Sequence, residues 1–291
     1  MIEIALTGWS DHDLLTEKQK QKLEDYAKHF PVVEMDTSFY AIPPEKNILS
    51  WIEKTPDRFR FFPKAYKAMT LHADYKEDFD SLEDLFKTFK ETFNPMIARG
   101  KIHSFLFQFP PNFDCSKANV NYLRFVRQEM GQLPVAIEFR HPSWFEEGMA
   151  DKTLEFLTDQ NFINVVVDQP QTPSNSVPFV PQVTNQESAI YRLHGRNYEG
   201  WAGESDEYWR DVRTLWDYSD QEIAEIGQTS QELAQQADSV LVVFNNNSGG
   251  HAAKNAKSLQ KYLGLEFDGL GPMQMDLDLF WAGVNVANII S

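Results

Sequence analysis

Residues 133–144 read LPVAIEFRHPSW, and the fold turns on this stretch. The apolar run Val135–Phe139 is too short for a helix and suits a strand buried on both faces. It passes straight into Arg140, His141 and Trp144. A buried strand that ends in polar side chains is the repeating unit of an α/β barrel with its site at the strand C-termini.

Working outward, the same unit recurs. The apolar runs are Ile2–Thr7, Val32–Met35, Phe59–Phe62, Phe105–Phe107, Val135–Phe139, Asn164–Val167, Ala189–Leu193 and Val240–Phe244. Helical patterns fall between most of them. Thr16–His29 opens with Thr16 and Gln19 at capping-box spacing. Pro43 and Pro44 start a helix that puts Ile48, Trp51 and Ile52 on one face. Ser81–Phe93, Asn119–Met130, Lys152–Asp159, Ser219–Ala237 and His251–Leu263 also read as helices. Eight strands alternating with helices predict a (β/α)8 barrel over residues 1–264. One helix is missing: Gln169–Glu187 carries four prolines and many polar residues, so a long loop replaces the helix after strand six. Residues 265–291 form a C-terminal tail, too apolar at its end to be free, expected to pack on the barrel.

Composition narrows the function. Hydrophobic residues make up 42 %, which supports a large core and excludes wholesale disorder. Lys plus Arg number 27 against 43 Asp plus Glu, and the resulting charge of −16 repels nucleic acid and anionic membranes in bulk. The single cysteine, Cys115, rules out an internal disulfide and reads as a packing residue. No apolar run reaches membrane-spanning length, and the N-terminus lacks the basic region of a signal peptide. The expectation is a cytoplasmic protein.

Candidate site residues follow from the strand ends. Period-two geometry puts Glu34 with Asp36, Glu138 with Arg140, and Arg192 with His194 on shared faces. Lys64, Arg140, Arg192 and Arg196 are cations that suit phosphate or carboxylate. Either the four form an anion pocket, or Arg140 and Arg192 only pair with Glu34, Glu138 and Asp168 in a structural network. Glu138, Asp168 and His194 are candidates for acid–base catalysis. Tyr40 and Trp144, with Trp9 near the first strand end, suit stacking on a ring, whereas Phe39 reads as core. Asn245 and Asn246 either bind substrate or cap their loop. Gly249 and Gly250 open a helix whose N-terminus suits a phosphate. No cofactor signature is evident, since the Walker and dinucleotide glycine patterns are absent. A divalent metal, if used, draws on Glu34, Glu138, Asp168 and His194, with Asp36 and His72 as further donors.

GW at 8–9, VEMDTSFY at 33–40, FPKA at 62–65, FQFPP at 107–111, IEFRHPSW at 137–144, YRLHGR at 191–196, FNNN at 244–247 and NA at 255–256 occur in this order. With these motifs the chain resembles the domain of unknown function 72 family, the YecE-like proteins, over about residues 1–264. The resemblance implies a TIM-type barrel and no established activity. Asp36 stands where the resemblance implies Asn.

Three functions remain open on sequence. The first is an enzyme using acid–base chemistry, hydrolysis or isomerisation, on a small anion such as a phosphorylated sugar or a nucleotide-like molecule. The second is a metal-dependent nucleic-acid-processing enzyme recruited through the tail. There QMDLDLF at 274–280 resembles sliding-clamp peptides through Gln274, Leu277, Leu279 and Phe280. The third is a non-catalytic anion-binding module.

Overall fold

The computed structural model describes residues 1–16, 22–172, 176–202 and 212–271. All eight sequence-predicted strands form: β1 (Ile2–Leu6), β2 (Val32–Met35), β3 (Arg60–Pro63), β4 (Phe105–Gln108), β5 (Val135–Glu138), β6 (Phe162–Asp168), β7 (Ser188–Leu193) and β8 (Ser239–Phe244). Six make one curled parallel sheet in the order β1-β8-β7-β6-β5-β4, and β2 and β3 pair separately. Isolated parallel bridges, Thr7 to Glu34 on one side and Phe61 to Ile102 and Lys64 to Leu106 on the other, lie between the two sheets. The strands are buried almost throughout, as apolar runs without alternation require.

The helices are α1 (Lys22–Tyr26), α2 (Thr37–Tyr40), α3 (Glu45–Glu53), α4 (Leu82–Ile97), α5 (Lys117–Met130), α6 (Ala150–Asp159), α7 (Tyr198–Ala202), α8 (Asp220–Leu233) and α9 (His251–Leu263). Local chemistry sets several starts. Ser81 and Ser116 accept from the backbone at α4 and α5, and Ser219 forms a full capping box with Glu222 at α8. Of the expected helix Thr16–His29, Lys22–Tyr26 is helical as α1, and residues 17–21, Gln19 among them, lie outside the described residues. The Thr16 hydroxyl donates to the His12 carbonyl. Among the described residues of 169–187 there is no helix, so β6 passes to β7 through a long loop.

The start of the tail packs inward. Leu265 and Phe267 lie against the core, Phe267 sits 6.5 Å from the Phe30 ring, and the Gly271 N–H donates to the Ala27 carbonyl at 2.8 Å. Gln274, Leu277, Leu279 and Phe280 lie outside the described residues. No described helix is long and apolar enough to cross a membrane.

Candidate active site: a buried ion network under a cationic cavity

The strand ends carry two superposed layers. The lower layer is an ion network inside the sheet. Arg192 on β7 donates Nε and Nη2 to the two oxygens of Glu34 on β2, each at 2.7 Å. Its Nη1 donates to Glu138 on β5 at 2.6 Å. Glu138 also accepts from Arg140 Nη2 at 3.0 Å, Gln108 Nε2 at 2.8 Å and His194 Nε2 at 3.0 Å. Glu34 and Glu138 are 0 % exposed and Arg192 is 1 % exposed, so each charge is neutralised where water cannot reach it. The face-sharing of Arg192 with His194 is what lets both reach Glu138.

These contacts fix proton positions. Arg192, His194 and Arg140 hold Glu138 well below the usual carboxylate range, against the opposing effect of burial. Burial pushes Glu34 up, with Arg192 and Lys64 pulling it back. Burial lowers His194 to about 3, despite the pull of Glu138, so its ring is neutral near pH 7. Its Nε2 therefore carries the proton toward Glu138, and its Nδ1 accepts from Asn245 Nδ2 at 2.8 Å.

The upper layer is a cavity of about 370 Å3 lined from every strand end except that of β6. Its lining includes Lys64, Arg140, Arg192, Arg213, Tyr40, His72, Gln108, His194, Asn245 and Asn247. Lys64 pairs with Asp36 at 2.9 Å. Arg140 is 5 % exposed, and its Nε is buried without a hydrogen-bond partner. Burial and neighbouring Arg192 pull Arg140 down to about 10, against the pull of Glu138. Burial with Arg140 and Arg192 lowers Arg213 to about 8. Both guanidiniums approach the Trp201 ring, Arg140 at 4.8 Å and Arg213 at 3.9 Å from its centroid. His72, lowered to about 4 by burial, Lys64 and Arg140, sits beside Phe39 with Nδ1 2.9 Å from the Thr70 hydroxyl.

Several sequence expectations are corrected here. Asp168 and Arg196 lie away from this cavity. They pair with each other at 2.7 Å, and Asp168 accepts from the Tyr218 hydroxyl at 2.9 Å. Arg196 further pairs with Glu222 and Glu225. Trp144 is 1 % exposed, stacked 4.1 Å from Phe139 and 5.6 Å from Phe113, with its N–H donating to the Phe113 carbonyl. It is core, not a substrate platform. Trp9 packs edge-on against Trp51 at 5.4 Å, outside the cavity. Asn246 is 0 % exposed and ties the end of β8 to Trp216 and Asn255. Phe39 departs from the expected core role, lining the cavity with Tyr40, which is 50 % exposed. Gly249 and Gly250 turn the chain into α9 at positive φ and do not line the cavity.

The metal donors do not converge. Glu34 and Glu138 already share the Arg192 guanidinium, and Asp168 belongs to another cluster. Among the described residues no group of three or more His, Cys, Asp or Glu is placed to hold a metal ion.

Sequence reasoning missed Arg213 and Thr214, which line the cavity from a stretch that follows no strand. Gly195 carries a further structural demand. It adopts φ +83, and a Cβ there would lie 2.7 Å from Trp216 Cβ. Its N–H donates to the Tyr218 hydroxyl at 2.9 Å. Gly195→Ala is expected to cost about 1–3 kcal/mol, read as a lowered urea midpoint with an unchanged slope. A midpoint equal to that of the wild type would refute the strain.

A parallel α/β protein with a buried ion network and a cationic cavity above it is the class that fold and site define. The chain belongs to the family described as Protein of unknown function DUF72, whose model matches residues 3–277. It is 45 % identical to the UPF0759 protein YunF of Bacillus subtilis over 282 residues, which cover 95 % of this chain and 100 % of that protein. It is 31 % identical to YecE of Escherichia coli K12 over 172 residues, 57 % of this chain and 58 % of YecE. Among solved structures, a DUF72 family protein from Enterococcus faecalis superposes with a TM-score of 0.90 at 42 % identity, covering 95 % of this chain and 100 % of that one. A DUF72 family protein from Thermotoga maritima gives 0.78 at 30 % identity, covering 91 % and 100 %.

Proposed function

We propose that this chain is a closed (β/α)8-barrel enzyme of the cytoplasm that binds a small anionic substrate, a phosphorylated sugar or nucleotide-like molecule, at the strand C-termini. The isolated bridges flanking β2 and β3 support closure. Arg140 carries the binding reading. It lines the cavity, it is buried, its Nε lacks a partner, and burial with Arg192 disfavours its charge. An anion seated against Arg140, Arg213 and Lys64 offsets that mutual repulsion and supplies charge-assisted hydrogen bonds.

The reaction is acid–base chemistry, hydrolysis or isomerisation, with roles that differ from the simplest assignment. Glu138 is saturated by four donors, and both ring nitrogens of His194 are engaged, so these two position the cavity wall. His72 is the proton-transfer group. Its imidazole is neutral at physiological pH and lies on the exposed side of the cavity. A bound anion offsets Lys64 and Arg140, two of the groups that depress its pKa, and so moves it toward the working range.

The test is a thermal-shift panel of sugar phosphates and nucleotides against wild type and Arg140→Met. A ligand at about 100 times its Kd adds roughly 2.7 kcal/mol, a rise of several degrees. The expected result is a rise with phosphorylated compounds that the variant loses. No rise with any of them, or an equal rise in the variant, refutes the reading.

A further inference from the structure

We infer that the cavity is built for an anion rich in hydroxyl groups, and that it discriminates against nucleobases and ammonium-bearing ligands. This rests on the anion-binding reading above and deepens it. Glu138 sets the polarity of the cavity wall. As a fully buried carboxylate it only accepts hydrogen bonds. Gln108 donates its amide nitrogen to Glu138 at 2.8 Å, so its carbonyl oxygen is the end left over. His194 donates Nε2–H to the same carboxylate, so its Nδ1 accepts. Asn245 must then present its amide nitrogen to His194, and its carbonyl oxygen is likewise the end left over.

One buried charge thus dictates the orientation of two carboxamides that line the cavity. Neither carbonyl oxygen accepts a hydrogen bond from a described residue. Asn247, which also lines the cavity, has its amide committed in the same way. Its amide nitrogen donates to the Thr7 carbonyl at 2.8 Å, and its Oδ1 is buried without a donor. The cavity therefore offers cations for an anionic group and carboxamide oxygens for neutral donors.

A phosphorylated polyol satisfies both demands, its phosphate facing the cations and its hydroxyls donating to the carboxamide oxygens. A nucleobase edge sets donors beside acceptors, and its acceptors would meet carbonyl oxygens whose amide donors are committed elsewhere. An ammonium group would donate, yet it would face Lys64, Arg140 and Arg213. At about 370 Å3 the space is within the range of small-molecule sites.

The test is calorimetric titration of the intact protein with glucose 6-phosphate, n-hexyl phosphate, adenosine 5′-monophosphate and inorganic phosphate. The expected result is that glucose 6-phosphate binds about tenfold or more tightly than n-hexyl phosphate or the nucleotide. Gln108→Met should weaken glucose 6-phosphate about tenfold and leave inorganic phosphate within about twofold. Equal affinity for n-hexyl phosphate overturns the preference for hydroxyls, equal affinity for the nucleotide overturns the discrimination against bases, and either leaves the anion reading standing. Failure of every phosphate to bind overturns both. The ligand series on wild type decides the matter even if the variant does not fold.

Discussion

Arg192→Met is expected to lose about 3–5 kcal/mol of stability, a fall in Tm on the order of 10 °C. The wild-type guanidinium spans two carboxylates that are both 0 % exposed, with three bonds of 2.6–2.7 Å. Removing it does not affect the two equally. Glu138 keeps Arg140, Gln108 and His194. Glu34 loses its ion-pair partner and is left as an uncompensated buried carboxylate, which is the expensive half of breaking a buried pair. Two further measurements identify the cause. In the variant, Glu34 has a folded pKa raised above its unfolded value. The folded state then binds the extra proton, and stability rises as pH falls toward the unfolded pKa. Adding Glu34→Leu removes the stranded charge and should recover a large part of the loss. Urea unfolding across pH 5.5–8 reads both. An Arg192→Met protein within about 1 kcal/mol of wild type would refute the network's structural role.

The network also explains what the sequence could disclose about this site. Strand positions were legible because short apolar runs without alternation have few other homes, and β2 matches its run residue for residue. The pairing of Arg192 with His194, and of Glu138 with Arg140, was legible through the two-residue period of a strand. What the period does not disclose is which polar groups satisfy one another across strands. The sequence leaves anion pocket and structural network as alternatives, yet Arg140 belongs to both. Arg192 is consumed by Glu34 and Glu138, whereas Arg140 keeps an unpaired Nε. Asp168 stands at a strand end like the others. Arg196 and Tyr218, however, claim it from outside the cavity.

Aromatic roles fail for a related reason. Trp144 follows its strand at a distance that suits a rim platform, but Phe113, from the loop after β4, closes over it. Tyr40, on the short helix α2, stays half exposed at the cavity. Nothing local separates the two, because the deciding neighbour is remote in sequence. Arg213 is the same problem in reverse: it reaches the cavity from a segment with no apolar period and no strand end to mark it.

Acid sensitivity is the second large effect, and its most deeply buried sources are two histidines held neutral by burial, with His12 and His72, also lowered, adding in the same direction. His194 is 1 % exposed and His103 is 8 % exposed, and burial takes each down to about 3, with Arg60 adding to the shift at His103. Unfolded histidine titrates near 6.5. Between these values the unfolded chain binds protons that the folded chain refuses, so stability is full above about pH 6.5 and falls as pH drops toward 3. At pH 5 each of these two histidines accounts for about 2 kcal/mol, roughly 4 kcal/mol together, a loss that a marginally stable domain feels. Glu138, held low by Arg192, His194 and Arg140, adds in the same direction, but only as pH falls below its unfolded value. Glu34, raised by burial, works against them. Single variants separate these contributions. In His103→Asn the ring and its share of the slope go together, while the Glu34–Arg192–Glu138 network is untouched, since the His103 side chain contacts Ser104 and Phe62 instead. The expected result is a wild-type unfolding free energy that drops by several kcal/mol from pH 7 to 5, and a drop smaller by about 2 kcal/mol in His103→Asn. A flat wild-type profile over that interval, or an unchanged slope in the variant, would show that these rings take up protons in the folded state and that burial does not hold them neutral.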